Sequence, residues 1–198
     1  MDEVYLVVVR VLIAFFAAGI LSFALTPPVK RLAHRIGAID VPKDARRMHK
    51  KPIPRLGGLA IYLAFVVVCI LFAEKSVQNL TIFLGSAVIV VLGIFDDRNA
   101  LGAKFKFCIQ LVAAAIPVVF GNLRIELITN PNLLSDNLYL EFGVLSIPIT
   151  IIWIVAITNA VNLIDGLDGL AVGVSAIACM TMLAVSLLIG EIEIAILL

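Results

Sequence analysis

The sequence predicts an all-α polytopic membrane protein with six to seven transmembrane helices, an external N-terminus and one small external β-hairpin. Three observations lead there. Of 198 residues, 62% are hydrophobic and only 15% charged, with a mean hydropathy of +1.14. A soluble domain of this length has too little polar surface to cover such a composition, so the solvent for most of it is lipid. Apolar runs recur near the length of about 20 residues that a bilayer-spanning helix needs. Lys and Arg are segregated between these runs instead of being spread along the chain.

The runs are taken in order. Val4 to Thr26 is the first, with Pro27-Pro28 as its expected stop. It follows Asp2 and Glu3, not a basic n-region, so a retained span is expected instead of a cleaved signal peptide. Leu56 to Ala73, Leu80 to Phe95 and Phe105 to Phe120 follow. The fifth run is Ile147 to Ile157, extending towards Leu163; the sixth is Leu170 to Ile189, and Ile194 to Leu198 opens a seventh. Pro117 and Pro148 fall near expected ends, where a helix tolerates proline best. Cys69, Cys108 and Cys179 stand alone in apolar runs and read as small hydrophobes.

Orientation follows the cations. Nine of the fifteen lie at Lys30, Arg31, Arg35, Lys43, Arg46, Arg47, Lys50, Lys51 and Arg55, and Arg98, Lys104 and Lys106 return to the same side two spans later. Arg10, Lys75 and Arg124 belong to the opposite face. The loops at 27–55, 96–104 and 158–169 are therefore expected in the cytoplasm, within a single transmembrane domain covering 1–198. The outer loop at 121–146 differs in kind. Leu123 to Leu127 and Leu138 to Phe142 alternate apolar and polar residues, and Asn130-Pro131-Asn132 and Ser135-Asp136-Asn137 supply turn chemistry between them, which predicts a β-hairpin.

Ionisable residues at or inside spans are costly and mark candidate chemistry. Asp96 and Asp97 end the third run, at the negative pole of that helix, where two adjacent anions are unfavourable unless a cation offsets them. A divalent metal, or Arg98 and Lys104, would do so; the plainer reading is that Asp97 or Asn99 caps the fourth helix. A second acidic group runs from Asn159 to Gly169, with Asn159, Asn162, Asp165 and Asp168 at every third position and Gly166 and Gly169 as helix breakers. Two carboxylates, two amides and two glycines suit Mg²⁺, a base edge and phosphate oxygens; the plainer reading is a polar turn with Asp168 capping the sixth helix.

The third piece is the basic loop from Asp40 to Gly58. Such a loop ordinarily reflects inside-positive bias and contact with anionic headgroups. Here Pro42, Pro52 and Pro54 stiffen it, and Gly57-Gly58 opens the second helix, where backbone N–H groups are able to hold phosphate. His34 reads as a solvated interface residue and His49 as a phosphate contact. Carboxylates beside a rigid cationic loop meet the needs of transfer between a lipid phosphate and a nucleotide diphosphate.

On these residues the chain resembles the polyprenyl-phosphate N-acetylhexosamine-1-phosphate transferase family (glycosyltransferase 4 type). The resemblance rests on Asp40-Val41-Pro42 through His49-Lys50-Lys51-Pro52-Ile53-Pro54-Arg55-Leu56-Gly57-Gly58, on Asp96-Asp97, and on Asn159 to Leu170. The Pro-Ile-Pro-Arg-x-Gly-Gly form is similar to the undecaprenyl-phosphate N-acetylglucosamine-1-phosphate transferase branch. The resemblance implies transfer of N-acetylglucosamine-1-phosphate from UDP-N-acetylglucosamine to undecaprenyl phosphate, with release of UMP, initiating an envelope polymer such as teichoic acid or lipopolysaccharide. The alternative within the family is phospho-N-acetylmuramoyl-pentapeptide transfer in peptidoglycan synthesis. Asp96 and Asp97 are the implied metal ligands, for Mg²⁺ or Mn²⁺, and with Asp165 and Asp168 the implied catalytic carboxylates. Lys50, Lys51, Arg55, Gly57, Gly58, Asn159 and Asn162 are implied on the substrates. The implied setting is the bacterial plasma membrane with the site facing the cytoplasm; the implied partners are the UDP-sugar, polyprenyl phosphate, the bilayer and a second copy in a homodimer, with no nucleic acid. The family carries further spans, another cytoplasmic Asp and a His-rich loop in its C-terminal half, so a C-terminally truncated form, with activity of its own in doubt, is expected here.

Rival classes fit less well. CDP-alcohol phosphotransfer wants Ala-Arg and two later aspartates after Asp-Gly, whereas Asp168-Gly169 is followed by Leu-Ala-Val-Gly-Val; prenyl synthases want Asp-Asp-x-x-Asp, and Asp96-Asp97 precedes Arg-Asn-Ala. A transporter places ionisable residues near the bilayer midplane, while these sit at span ends.

Overall fold

The computed structural model describes residues 2–40, 53–131, 137–167 and 169–198. The elements run α1 (Asp2–Ile36), β1 (Ile39–Asp40), β2 (Ile53–Pro54), α2 (Gly57–Phe72), α3 (Val77–Arg98), α4 (Ala103–Ala115, continued by a π-helical turn, Ile116–Phe120), β3 (Leu127–Thr129), β4 (Tyr139–Glu141), α5 (Ser146–Ile164), α6 (Leu170–Ile189) and α7 (Ile192–Leu197). Among the described residues five helices are long and apolar enough to cross a membrane: Tyr5–Ile36, Val77–Arg98, Ala103–Phe120, Gly143–Ile164 and Leu170–Ile189. α2 is equally apolar but has 16 residues. At about 1.5 Å per residue it falls short of a hydrocarbon core of about 30 Å. Large apolar side chains point outward, Phe23 at 84% and Leu188 at 86% exposure, while half of the buried hydrophobic positions among the described residues are alanine. That inversion is how helices pack in lipid, where small residues let backbones approach. The protein is an all-α polytopic membrane protein.

Two helix ends follow from glycine. Gly37 has φ +77° and Gly190 φ +82°. Past each, the chain turns back in a Schellman motif: Ala38 N–H donates to the Ala33 carbonyl at 3.0 Å, and Glu191 N–H to the Ser186 carbonyl at 2.8 Å. The stop expected at Pro27-Pro28 does not occur, because α1 continues to Ile36. The prolines deprive the Phe23 and Ala24 carbonyls of their helical donors. That loss is offset by the turns beyond, where Val29 and Ala33 bury against Ala38, Leu56 and Ala60. The loop expected from residue 27 therefore begins after Ile36.

Packing groups the chain into two compact units, one of Met1–Lys75, Val90–Gly102 and Ser175–Leu198, the other of Ser76–Ile89 and Ala103–Val174. In the first, α1 packs along α2. β1 and β2 pair antiparallel, Ile39 with Pro54 and Asp40 with Ile53, and close the base of the basic segment. Arg55 N–H extends this ladder to the Ala38 carbonyl at 3.1 Å. A two-residue ladder leaves too short a pattern for sequence reading. At the other end of this unit Val11, Ala195 and Ile196 form a second buried cluster. There Arg10 lies 3.8 Å from the Glu193 carboxylate and also donates to the Phe72 carbonyl. Glu193 accepts Glu74 N–H at 2.8 Å.

In the second unit, Pro117 explains the widened turn. Having no N–H, it cannot close the bond to the Ala113 carbonyl, and the helix opens to π geometry. Gly85 of α3 lies against that carbonyl so closely that a Cβ there would stand 2.8 Å from the Ala113 oxygen and 3.1 Å from Pro117 Cδ. The chain then turns through Asn122, and Ile125 N–H donates to Thr150 Oγ1 at 2.8 Å. The expected hairpin is present but shifted. β3 and β4 pair Leu127 with Glu141 and Thr129 with Tyr139, so the first strand starts where the alternation from Leu123 was expected to end. Residues 123–126 are instead drawn to α5 through the Thr150 hydroxyl and to the π turn, where Arg124 Nε donates to the Val118 carbonyl at 3.3 Å.

Candidate phosphoryl-transfer site

The first unit gathers two of the three sequence pieces. Asp96 and Asp97 occupy the last turn of α3, which ends at Arg98. Two residues before Asp96, Ile94 packs on the buried cluster of Val29, Ala33, Ala38, Leu56 and Ala60. The same cluster contains Ala38, next to β1, and Leu56 and Ala60, which flank Gly57 and Gly58 at the start of α2. Arg55, Gly57 and Gly58 are exposed. Among the described residues no side chain caps α2, whose N-cap is Leu56, and beyond chain neighbours and the helix's own backbone nothing lies within 4 Å of where a Cβ would sit at either glycine. An uncapped, sterically open helix start leaves N–H groups for an anion.

The carboxylates are half-buried. Asp96 Oδ1 accepts Leu101 N–H at 2.9 Å and so ties down the turn between α3 and α4. α4 begins at Ala103, so neither Asp97 nor Asn99 is placed to cap it. Among the described residues no group of three or more His, Cys, Asp or Glu side chains is gathered. Two adjacent carboxylates are no cage for Ca²⁺, but they fit Mg²⁺, which commonly takes one or two carboxylates and keeps the remaining positions for water and substrate phosphates.

The third piece belongs to the second unit. α5 ends at Ile164, with Asp165 as its C-cap and Gly169, at φ +79°, leading into α6. Asn162 and Asp165 are exposed, while Asn159 is half-buried. Asn159 Nδ2 donates to Gln110 Oε1 at 2.7 Å and to the Val155 carbonyl at 2.8 Å, and Gln110 Nε2 returns a long bond of 3.4 Å to Asn159 Oδ1. Sequence reading passed over Gln110, although a lone glutamine within the apolar run Phe105 to Phe120 was the available signal. Lys50, Lys51, His49 and Asp168 lie outside the described residues. His34 bonds within its own helix, Nδ1 to the Lys30 carbonyl at 2.8 Å.

The described residues thus place paired carboxylates at the end of α3 and a glycine-led start of α2 within one unit of a multi-pass membrane protein. The chain belongs to glycosyl transferase family 4, whose model matches residues 79–198. It is 41% identical over 187 residues to the probable undecaprenyl-phosphate N-acetylglucosaminyl 1-phosphate transferase of Bacillus subtilis, covering 93% of this chain and 50% of that protein. It is 34% identical over 183 residues to the decaprenyl-phosphate N-acetylglucosaminephosphotransferase of Mycobacterium tuberculosis, covering 82% and 42%. To the phospho-N-acetylmuramoyl-pentapeptide-transferase of Wolbachia pipientis it is 29% identical over 170 residues, covering 79% and 52%. The chain thus spans about half the length of the curated relatives it matches. It is a transferase-family membrane protein.

Proposed function

We propose that the protein transfers N-acetylglucosamine-1-phosphate from UDP-N-acetylglucosamine to undecaprenyl phosphate, releasing UMP at the cytoplasmic side of a bacterial plasma membrane. The observation that carries this reading is one buried cluster in the first unit, against which Ile94 packs two residues before Asp96-Asp97 and in which Leu56 lies between Arg55 and Gly57-Gly58. The names of the relatives from Bacillus subtilis and Mycobacterium tuberculosis support the choice of sugar.

In this reading an oxygen of the lipid phosphate attacks the β-phosphorus, the bond from that phosphorus to the bridging oxygen breaks, and UMP leaves with the bridging oxygen. A phosphate monoester with a second pKa of about 6 is largely dianionic at neutral pH, so the nucleophile needs little help from a base. Asp96 and Asp97 would hold a divalent cation such as Mg²⁺, which would supply charge neutralisation for the diphosphate. The N–H groups of Gly57 and Gly58 and the Arg55 guanidinium hold phosphate oxygens; the family resemblance, not the geometry, assigns Lys50 and Lys51 to the substrate anions and Asn162, Asp165 and Asp168 to the nucleotide. The excess of Lys and Arg in the sequence between α1 and α2 supports a cytoplasmic placement of that segment.

The second reading, phospho-N-acetylmuramoyl-pentapeptide transfer, is favoured by the Wolbachia relative. One assay separates the two. Membranes containing the whole protein, given undecaprenyl phosphate, Mg²⁺ and either sugar-labelled UDP-N-acetylglucosamine or UDP-N-acetylmuramoyl-pentapeptide, are expected to form labelled lipid from the first donor only. Label from the second donor alone would replace this reading with the other, and label from neither would remove both.

A further inference from the structure

We propose that Gln110 and Asn159 are a positioning pair that fixes the rotation of α5 and thereby the place of Asn162 and Asp165. The inference rests on the transferase reading for the role of those two residues and deepens it, because it gives Asn159 a task other than touching substrate. Gln110, in α4, is 9% exposed. An amide carries two N–H donors, and both of those on Asn159 are in use, one on Gln110 Oε1 at 2.7 Å and one on the Val155 carbonyl at 2.8 Å. Its own oxygen receives Gln110 Nε2 at 3.4 Å. Two carboxamides facing each other with a bond in each direction fix the in-plane orientation of both side chains, which a single bond does not. Both helices are long and apolar enough to cross the membrane. With apolar side chains and lipid around them, an amide turned away from its partner would meet few polar replacements.

Helix geometry then says what this pair sets. Successive residues are about 100° apart, so Asn162 lies about 60° and Asp165 about 120° around α5 from Asn159. With Asn159 turned onto α4, the other two turn progressively away from it, and both are exposed while Asn159 is half-buried. The three-residue recurrence therefore drifts around the helix. Its first member anchors the helix, and the later members carry the chemistry.

The test uses the whole protein in membranes and in detergent, with Gln110→Leu, Asn159→Leu, the double variant, and the exchange Gln110→Asn with Asn159→Gln. Per folded molecule, Gln110→Leu is expected to lower kcat about tenfold or more with KM for UDP-N-acetylglucosamine changed by less than about threefold. The double variant is expected to be no worse than either single one, and the exchange to recover most of kcat. Thermal melting should show the same non-additivity. A Gln110→Leu protein that melts earlier but keeps wild-type kcat and KM would overturn the positioning role, as would effects of the two substitutions that multiply. A wild-type protein without transferase activity would sink the function proposed above and the role with it. Coupling between the two substitutions in melting would still read the pair independently.

Discussion

The Asp96 carboxylate accepts the backbone N–H of Leu101 at 2.9 Å, so one of two neighbouring acidic residues holds the turn that follows α3. Asp96→Ala removes an ionised acceptor and is expected to lower stability by about 1.5–3 kcal/mol, whereas Asp96→Asn keeps an oxygen acceptor and should cost less than about 1.5 kcal/mol. Melting of the purified variants, normalised for insertion, checks the ordering.

Asp97 probes the chemistry. Asp97→Asn, with rates normalised to folded and inserted protein, is expected to reduce transfer by about a hundredfold or more, the scale of losing a charge-stabilising contact in a transition state. Initial rates at saturating donor and lipid decide it.

Metal dependence follows from the same two carboxylates. Chelation should reduce transfer by at least about a hundredfold, Mg²⁺ should restore it, and Mn²⁺ should serve in its place. Asp97→Asn should raise the Mg²⁺ concentration needed for half-maximal rate. A titration of rate against free Mg²⁺ in wild type and variant measures this.

Close backbone approach makes Gly85 sensitive. A Cβ there would stand 2.8 Å from the Ala113 carbonyl oxygen, whereas one at Gly173 would meet nothing within 4 Å. Gly85→Ala is expected to cost about 1–3 kcal/mol by forcing α3 away from the π turn. Gly173→Ala, within α6, should be neutral or gain up to about 1 kcal/mol from helix propensity. Paired melting curves in one detergent compare them.

Much of the fold was legible because the signals were local. α6 was expected from Leu170 to Ile189 and occupies those residues, bracketed by Gly169 and Gly190 in the left-handed region. The hairpin was visible in its alternation, but its first strand was misplaced because the Thr150 hydroxyl and the π turn compete for the preceding residues. Pro27-Pro28 read as a stop because burial of Val29 and Ala33 against α2 is a tertiary fact. Of the candidate site, the residue types were readable, since carboxylates and glycines stand out in apolar sequence. Their division of labour was not. That Asp96 serves a turn, and that Asn159 is spent on Gln110, depend on partners 5 and 49 residues away.

The central claim is that a sugar phosphate, not a bare sugar, moves to the lipid. It is tested most directly by giving the whole protein UDP-N-acetylglucosamine carrying radiophosphorus only at the β-position, together with undecaprenyl phosphate and Mg²⁺. The account predicts that the label enters the lipid extract and that the released nucleotide is unlabelled UMP. Label retained on released UDP while the sugar reaches the lipid, or no labelled lipid from correctly inserted protein, would contradict it.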